Sequence, residues 1–101
     1  MPGRHKVGAV SDVPEGAGRE FVVEGRPIAV FKAAGKFYAL DNACLHRGGP
    51  LGEGTLQGTV VTCPWHHWRF DVATGCNAAD ANARVRTYPV QVEGETLLVE
   101  R

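Results

Sequence analysis

The sequence lacks an excess of charge of either sign. Lysine and arginine together number 11, aspartate and glutamate also number 11, and the formal net charge is zero. Proteins that bind nucleic acid or anionic membrane surfaces generally carry a basic excess. The charge balance therefore predicts no nucleic-acid partner and no membrane partner, although it leaves room for a small local patch.

Long hydrophobic runs are also missing. The chain has no stretch of 18 apolar residues, and its first segment, MPGRHKVGAV, is not followed by the apolar run of a signal peptide. We therefore expect a cytoplasmic protein. Helical periodicity over three turns, internal repeats and low-complexity tracts are absent from the sequence as well.

Cysteine is scarce and occurs in an odd number. The three cysteines are Cys44, Cys63 and Cys76. In the reducing cytoplasm, cysteines are more typical of metal sites and free thiols than of disulfides.

What the chain does contain is a series of short strand patterns. Segments rich in β-branched and aromatic residues, bounded by turn residues, predict strands at Arg19–Gly25, Pro27–Ala33, Lys36–Asp41, Gly58–Cys63, Trp68–Val72, Val85–Glu93 and Thr96–Glu100. Such spacing is typical of an antiparallel sandwich or barrel. A length of 101 residues fits one domain. We expect a base formed by residues 1–41 and 72–101, with a small inserted subdomain at about 42–71.

The middle region holds two segments that each pair a cysteine with a histidine. NACLHRGGPLGEG contains Cys44 and His46, and CPWHHW contains Cys63 and His66. Residues 47–62 separate the pairs, which is enough chain for a hairpin that brings them together. Because cysteine and histidine are ligands of soft and borderline metals, the two pairs predict a metal site.

Two kinds of metal centre suit this set. One is a single tetrahedral zinc ion. The other is a [2Fe–2S] cluster in which two cysteines bind one iron and two histidines bind the other. Zinc fingers usually pair cysteine with cysteine and histidine with histidine, so the mixed pairs favour the cluster. Gly48 and Gly49 also favour it, since small residues let backbone N–H groups approach bridging sulfides.

At these motifs the chain resembles the Rieske ferredoxin family. CLHRGGPLGEGTLQG and CPWHHWRFDVATG are similar to the two cluster loops of that family, and RTYPVQVEGETLLV is similar to its closing hairpin. The resemblance runs from about Lys6 to Glu100. It implies an all-β Rieske fold, in which a small cluster-binding subdomain lies at one end of stacked antiparallel sheets.

The resemblance also implies the ligands and the activity. Cys44 and Cys63 would bind the inner iron, and His46 and His66 the outer iron, of one Rieske-type [2Fe–2S] cluster per chain. The protein would be a one-electron carrier and not an enzyme. It would shuttle electrons from a reductase to a terminal redox enzyme such as a ring-hydroxylating oxygenase.

Two other functions stay open from the residues. The chain is also similar to small subunits of assimilatory NAD(P)H nitrite reductases, which would make a nitrite reductase large subunit its partner. A zinc-stabilised interaction module is the other alternative.

Features that the two loops lack indicate where the reduction potential of the cluster lies within the range of its class. Family members that resemble respiratory Rieske proteins carry an extra cysteine in each loop, and these two cysteines form a disulfide. They also carry a side-chain hydroxyl near the second loop. Here Gly49, Trp65 and Trp68 occupy those places. We therefore expect a potential in the lower part of the class range of about −150 to +300 mV.

A few residues near the motifs have no assigned role. His67 stands where the family usually has glycine, and Cys76 matches no family position, so we expect it to be an unligated thiol. Arg47 and Arg69 flank the ligands, either as solvated charges or as contacts for an acidic partner face.

Overall fold

Three antiparallel β-sheets make up the computed structural model, which describes residues 3–42, 50–64, 68–79 and 82–100. Their strands, in chain order, are β1 (Arg4–Ala9), β2 (Gly18–Val23), β3 (Arg26–Ala33), β4 (Lys36–Asp41), β5 (Thr55–Gln57), β6 (Val60–Thr62), β7 (Arg69–Asp71), β8 (Thr87–Tyr88), β9 (Val90–Glu93) and β10 (Thr96–Glu100). Short 3-10 turns lie at Val10–Asp12 and Leu51–Glu53. No helix within the described ranges is long and apolar enough to cross a bilayer.

The sheets have the strand orders β1-β10-β9, β2-β3-β4-β8 and β5-β6-β7. We call the last of these the small sheet. Two-residue turns at Glu24-Gly25 and Ala34-Gly35 connect β2 to β3 and β3 to β4, and all four residues have positive φ. That conformation matches the right-handed twist of paired strands. The predicted antiparallel all-β class is confirmed.

The strand predictions differ from the structure at one instructive place. Val85–Glu93 is not one strand, because Pro89 divides it into β8 and β9, which belong to different sheets. Proline has no N–H to donate to a neighbouring strand, so a chain can leave one sheet there and enter another. The sequence patterns missed β1 and β5, whereas Lys36–Asp41 and Thr96–Glu100 agree with the structure.

The core has two parts. One lies between the first two sheets and contains Val13, Ile28, Val30, Tyr88 and Leu97. The other joins the β2-β3-β4-β8 sheet to the small sheet, and its buried residues are Ala29, Phe31, Leu40, Leu51, Val61, Cys63, Phe70, Val72 and Val85. The small sheet therefore packs directly on β3 and β4. The domain boundaries at residues 41/42 and 71/72 stay a prediction.

Candidate metal centre

One end of the small sheet is where both cysteine-histidine segments leave it. Thr62 on β6 pairs with Thr55 on β5 and with Arg69 on β7, so these three residues form one row across the sheet. The segment before β5, the segment after β6 and the segment before β7 all extend from this row. We call this the loop end of the small sheet.

The first segment is closed at its neck by a backbone hydrogen bond. The N–H of Leu51 donates to the carbonyl oxygen of Asn42 at 2.8 Å. This bond encloses residues 43–50, which include Cys44 and His46. After the neck, the Leu51–Glu53 turn leads directly into β5 at the loop end.

Close packing at Gly54 brings this neck against β6. A Cβ atom at position 54 would overlap the carbonyl oxygen of Thr62 and would lie 2.9 Å from a methyl carbon of Val61. Because φ is −75° at Gly54, the backbone conformation alone would permit other residues. The lack of a side chain is what lets the first neck approach the second segment.

The second segment has a neck of the same kind. The N–H of Cys63 donates to the carbonyl oxygen of Trp68 at 2.7 Å, and this bond encloses residues 64–67, which include His66. Cys63 and Trp68 continue β6 and β7 outward from the loop end. The two pairs therefore start from neighbouring points of one sheet.

A third segment reaches the same end. The N–H of Asp71 donates to the carbonyl oxygen of Cys76, and the N–H of Ala78 donates to that of Arg69, each at 2.8 Å. Asn77 pairs with Phe70 between them. The chain from Cys76 to Ala78 therefore runs antiparallel to β7 toward the loop end. Three segments of the chain therefore have their described ends at the loop end.

Cys63 lies in an apolar environment at this end. Its side chain has no solvent exposure and belongs to the same buried cluster as Leu51, Val61 and Phe70. It forms no disulfide with another residue in the described part of the chain. Trp68 packs against this group of buried apolar side chains, and its ring centroid lies 6.4 Å from that of Phe70. A free thiol at the loop end, shielded from water, fits a cluster ligand.

The other three predicted ligands lie outside the described residues. They are Cys44, His46 and His66. Gly48, Gly49, Arg47, Trp65 and His67 also lie outside the described ranges. The four-residue ligand set therefore stays a prediction. Among the residues that the structure does describe, no group of three or more Cys, His, Asp or Glu side chains is placed to hold a metal ion.

The remaining sequence candidates have clear positions. Cys76 is half-buried with a free thiol, and Arg69 is exposed beside Thr62. Phe70 is buried in the apolar core at this end, and Trp68 packs against that core.

Sequence reasoning missed one residue at the first neck, Asn42. Its side chain is 4% exposed and hydrogen-bonds to Glu20 and Gly52. The only signal in the sequence is an asparagine directly after a strand, which is typical of any turn. Its partners come from parts of the chain that the sequence does not place near it.

The comparisons with known proteins agree with this arrangement. A family model described as Rieske [2Fe-2S] domain matches residues 3–89. The ferredoxin component of the naphthalene 1,2-dioxygenase system of Pseudomonas aeruginosa is 37% identical, over 91% of this chain and 89% of that protein.

Solved structures are similar over nearly the whole chain. The ferredoxin in a complex of reduced oxygenase and oxidized ferredoxin of carbazole 1,9a-dioxygenase has a TM-score of 0.84 and is 35% identical, with 95% of this chain and 91% of that chain covered. A protein described as a nitrite reductase small subunit from Mycobacterium tuberculosis has a TM-score of 0.91 at 20% identity, with 100% of this chain and 96% of that chain covered. At that identity, the second likeness shows the fold alone.

Proposed function

Because the chain belongs to the Rieske [2Fe–2S] domain family, we propose that it delivers single electrons to the terminal oxygenase of a ring-hydroxylating dioxygenase system. The protein holds a Rieske-type [2Fe–2S] cluster and is an electron carrier, not itself an enzyme. The observation that carries the proposal is the shared origin of both cysteine-histidine segments at the loop end of the small sheet.

The proposed ligands are Cys44 and Cys63 on one iron and His46 and His66 on the other. Support comes from the two necks, which start both segments at the loop end, and from the buried thiol of Cys63 there. When bound, the cluster accepts and releases one electron. The two neutral histidines leave it less negative than a four-cysteine cluster, which makes electron uptake easier.

The chain's own residues have three tasks in this proposal. Cys63 and its apolar neighbours keep water from the inner side of the site. The hydrogen-bonded necks hold Asn42 against Leu51 and Cys63 against Trp68, which fixes where each ligand segment begins. The loop end is the side of the chain that we propose meets the partners, a reductase as donor and an oxygenase as acceptor, in the cytoplasm.

The two alternative functions have less support. The likeness to a nitrite reductase small subunit is one of fold, whereas a dioxygenase ferredoxin component is 37% identical to this chain. A zinc-stabilised module is disfavoured, because the matching family is one of [2Fe–2S] domains.

Spectroscopy of the purified protein tests the cluster. We expect a red-brown protein that bleaches with dithionite and gives a Rieske-type EPR signal when reduced. A Cys63→Ser variant, matched in size, should lose both properties. A colourless protein that binds one zinc ion per chain would overturn the proposal.

The partner is tested by electron transfer. The reduced protein is mixed in a stopped-flow instrument with the oxygenase component of a ring-hydroxylating dioxygenase, or with a nitrite reductase large subunit, and its reoxidation is followed. We expect saturable reoxidation with the oxygenase alone. Faster reoxidation by the nitrite reductase subunit would favour the alternative.

A further inference from the structure

Asn42 is a buried polar side chain in a place where burial is costly. Tyr88 aside, it is the one polar residue buried within the described ranges. A buried amide without partners would cost the full free energy of its desolvation, so such a residue persists where its hydrogen bonds are made. Asn42 directly precedes residues 43–50, which carry Cys44 and His46.

Four hydrogen bonds hold Asn42. Its backbone N–H donates to the carbonyl oxygen of Pro27 at 3.1 Å, and its carbonyl oxygen accepts the N–H of Leu51 at 2.8 Å. Its side-chain Oδ1 accepts the N–H of Gly52 at 2.7 Å, and its Nδ2 donates to Oε2 of Glu20 at 2.5 Å. One residue therefore ties the far side of the first neck to both β2 and β3.

Gly52 is shaped for this contact. A Cβ atom at position 52 would lie 2.9 Å from Oδ1 of Asn42 and 3.1 Å from the backbone nitrogen of Glu20. Both distances are shorter than an ordinary contact of such an atom. The glycine thus lets the Leu51–Glu53 turn sit directly against β2, with Asn42 between them.

The two bonds across the neck differ in kind. The bond between the Leu51 N–H and the Asn42 carbonyl closes the loop at one point of the backbone. The side-chain bond from Gly52 to Asn42 adds a second point of closure. The bond from Asn42 to Glu20 anchors both residues to β2, which is distant in sequence. Glu20 is exposed, whereas its partner Asn42 is buried.

We propose that Asn42 is a positioning residue for the cluster, which holds the first ligand loop in its binding geometry through Gly52 and Glu20. This inference rests on the proposed function, because it takes residues 43–50 to carry two of the ligands. A loop held at a preformed neck keeps its ligands in place when one of them dissociates, so the cluster is retained longer.

Exchange of donor and acceptor between positions 42 and 20 tests the proposal. In the Asn42→Asp variant, two carboxylates face each other, although Oδ1 can still accept from Gly52. In the Asn42→Asp/Glu20→Gln double variant, the amide introduced at position 20 donates to the carboxylate introduced at position 42, and the bond is restored in reverse. The Glu20→Gln single variant keeps an acceptor for Asn42 and serves as the reference.

The measurement is the rate at which the holoprotein loses its visible absorbance in the presence of a chelator. We expect about tenfold faster loss in Asn42→Asp, since a partly buried hydrogen bond to a charged group is replaced by repulsion. The double variant should return to within about twofold of Glu20→Gln. The EPR signal of reduced Asn42→Asp should broaden, and that of the double variant should sharpen again.

A control of similar destabilisation separates positioning from general stability. Glu15 accepts the N–H groups of Ala34 and Gly35 at 2.7 and 2.9 Å, in a hairpin turn between β3 and β4. Glu15→Ala should lower the thermal midpoint without faster cluster loss. Should Asn42→Asp fail to fold, Glu20→Ala provides the test, with about threefold faster loss than Glu20→Gln.

Several results would overturn the proposal. They are cluster loss at the wild-type rate in Asn42→Asp, an absence of rescue in the double variant, or equally fast loss in Glu15→Ala. If Asn42→Asp does not fold, equal rates of cluster loss for Glu20→Ala and Glu20→Gln would overturn the proposal. A wild-type protein without a Rieske EPR signal would contradict the proposed function and this inference together.

Discussion

The buried Tyr88 shows how a single side chain makes stability depend on pH. Its hydroxyl donates to Oδ1 of Asp41 at 2.6 Å, and Arg26 lies 3.8 Å from the same oxygen. Burial, followed by the hydrogen bond to Asp41 and the charge of that residue, raises the pKa of Tyr88 above its ordinary value of 10.0, against a smaller opposing effect of Arg26. The neutral phenol is therefore the form that the fold stabilises.

We expect this stabilisation to be lost in alkali. Since the pKa of Tyr88 is higher in the folded state, its contribution is complete below 10.0 and falls as the pH rises through the folded-state pKa. Tyr88→Phe should lower the free energy of unfolding by about 1–2 kcal/mol at neutral pH and by less in alkali. Denaturant unfolding across this range measures the difference.

Tyr38→Phe is the matched control for Tyr88→Phe. Tyr38 is half-buried against the core beside the small sheet. Its replacement removes a phenol hydroxyl from outside the Asp41 contact, and its unfolding is followed over the same range for comparison. A Tyr88→Phe effect that stays constant through the alkaline range would contradict the assignment.

Ala34 is strained in its turn. It has φ of 52° in the β3–β4 turn, and outside this turn Glu24 is the only other non-glycine residue with positive φ in the described ranges. Alanine resists this region, whereas asparagine adopts it readily and is favoured before glycine in such turns. Ala34→Asn should raise the free energy of unfolding by about 0.5–1 kcal/mol, since the backbone bond to Glu15 is kept.

The control for Ala34→Asn is an exposed alanine without positive φ. Ala79→Asn meets this condition and should give no increase when denaturant unfolding is compared for the two variants. An equal gain at both positions would show that the strain at residue 34 is not the cause.

The two neighbouring histidines, His66 and His67, should differ in their effect on the cluster. Replacing His66 by cysteine adds a negative ligand, so we expect the reduction potential to fall while the cluster is kept. Replacing His67 by alanine should leave a Rieske EPR signal. Loss of that signal in His67→Ala, with its retention in His66→Ala, would make His67 the ligand in place of His66.

At the scale of elements, the small sheet determines where the ligand segments begin. The three strands are short, and their shared row at the loop end brings three segments together. Gly54 allows one of these segments to lie against β6. Because this contact joins two elements, a substitution at Gly54 tests how the segments are placed more directly than it tests the stability of any one strand.

Gly54→Ala should therefore impair the site. A Cβ atom there must displace either the Leu51–Glu53 turn or β6, which costs about 1–3 kcal/mol of folding free energy. We expect lower thermal stability and less cluster bound per chain, measured by calorimetry and by iron content. Gly3→Ala is the control, because its nearest contact would be an ordinary 3.7 Å. Full cluster content in Gly54→Ala would argue against the close approach.

At the scale of the whole molecule, the sequence restricts the reduction potential. The two candidate cysteine ligands leave Cys76 as the remaining cysteine, so an additional disulfide between the cluster loops cannot form. We expect a potential in the lower part of the range of about −150 to +300 mV. A redox titration followed by EPR measures it, and a value well above zero would contradict the expectation.

The chemistry of this protein could be predicted from its amino-acid types. The mixed pairing of Cys44, His46, Cys63 and His66 favoured a two-iron cluster over zinc, and the resemblance of the two loop motifs and the closing hairpin indicated the Rieske family, which the family model confirms. The four ligands themselves stay a prediction. Local patterns were also enough for β4 and β10 and for glycine-containing turns, because their signals lie within a few residues. Strand patterns and turn residues are local properties, which explains why they can be read without a fold.

How the parts of the molecule meet required the tertiary structure. The split at Pro89 depends on which sheet accepts each half of the segment, and the role of Asn42 depends on Glu20 and Gly52. Such contacts join residues distant in sequence, and no local pattern encodes their distance. The loop end of the small sheet arises in the same way, since strand register, not residue type, places Thr55, Thr62 and Arg69 in one row.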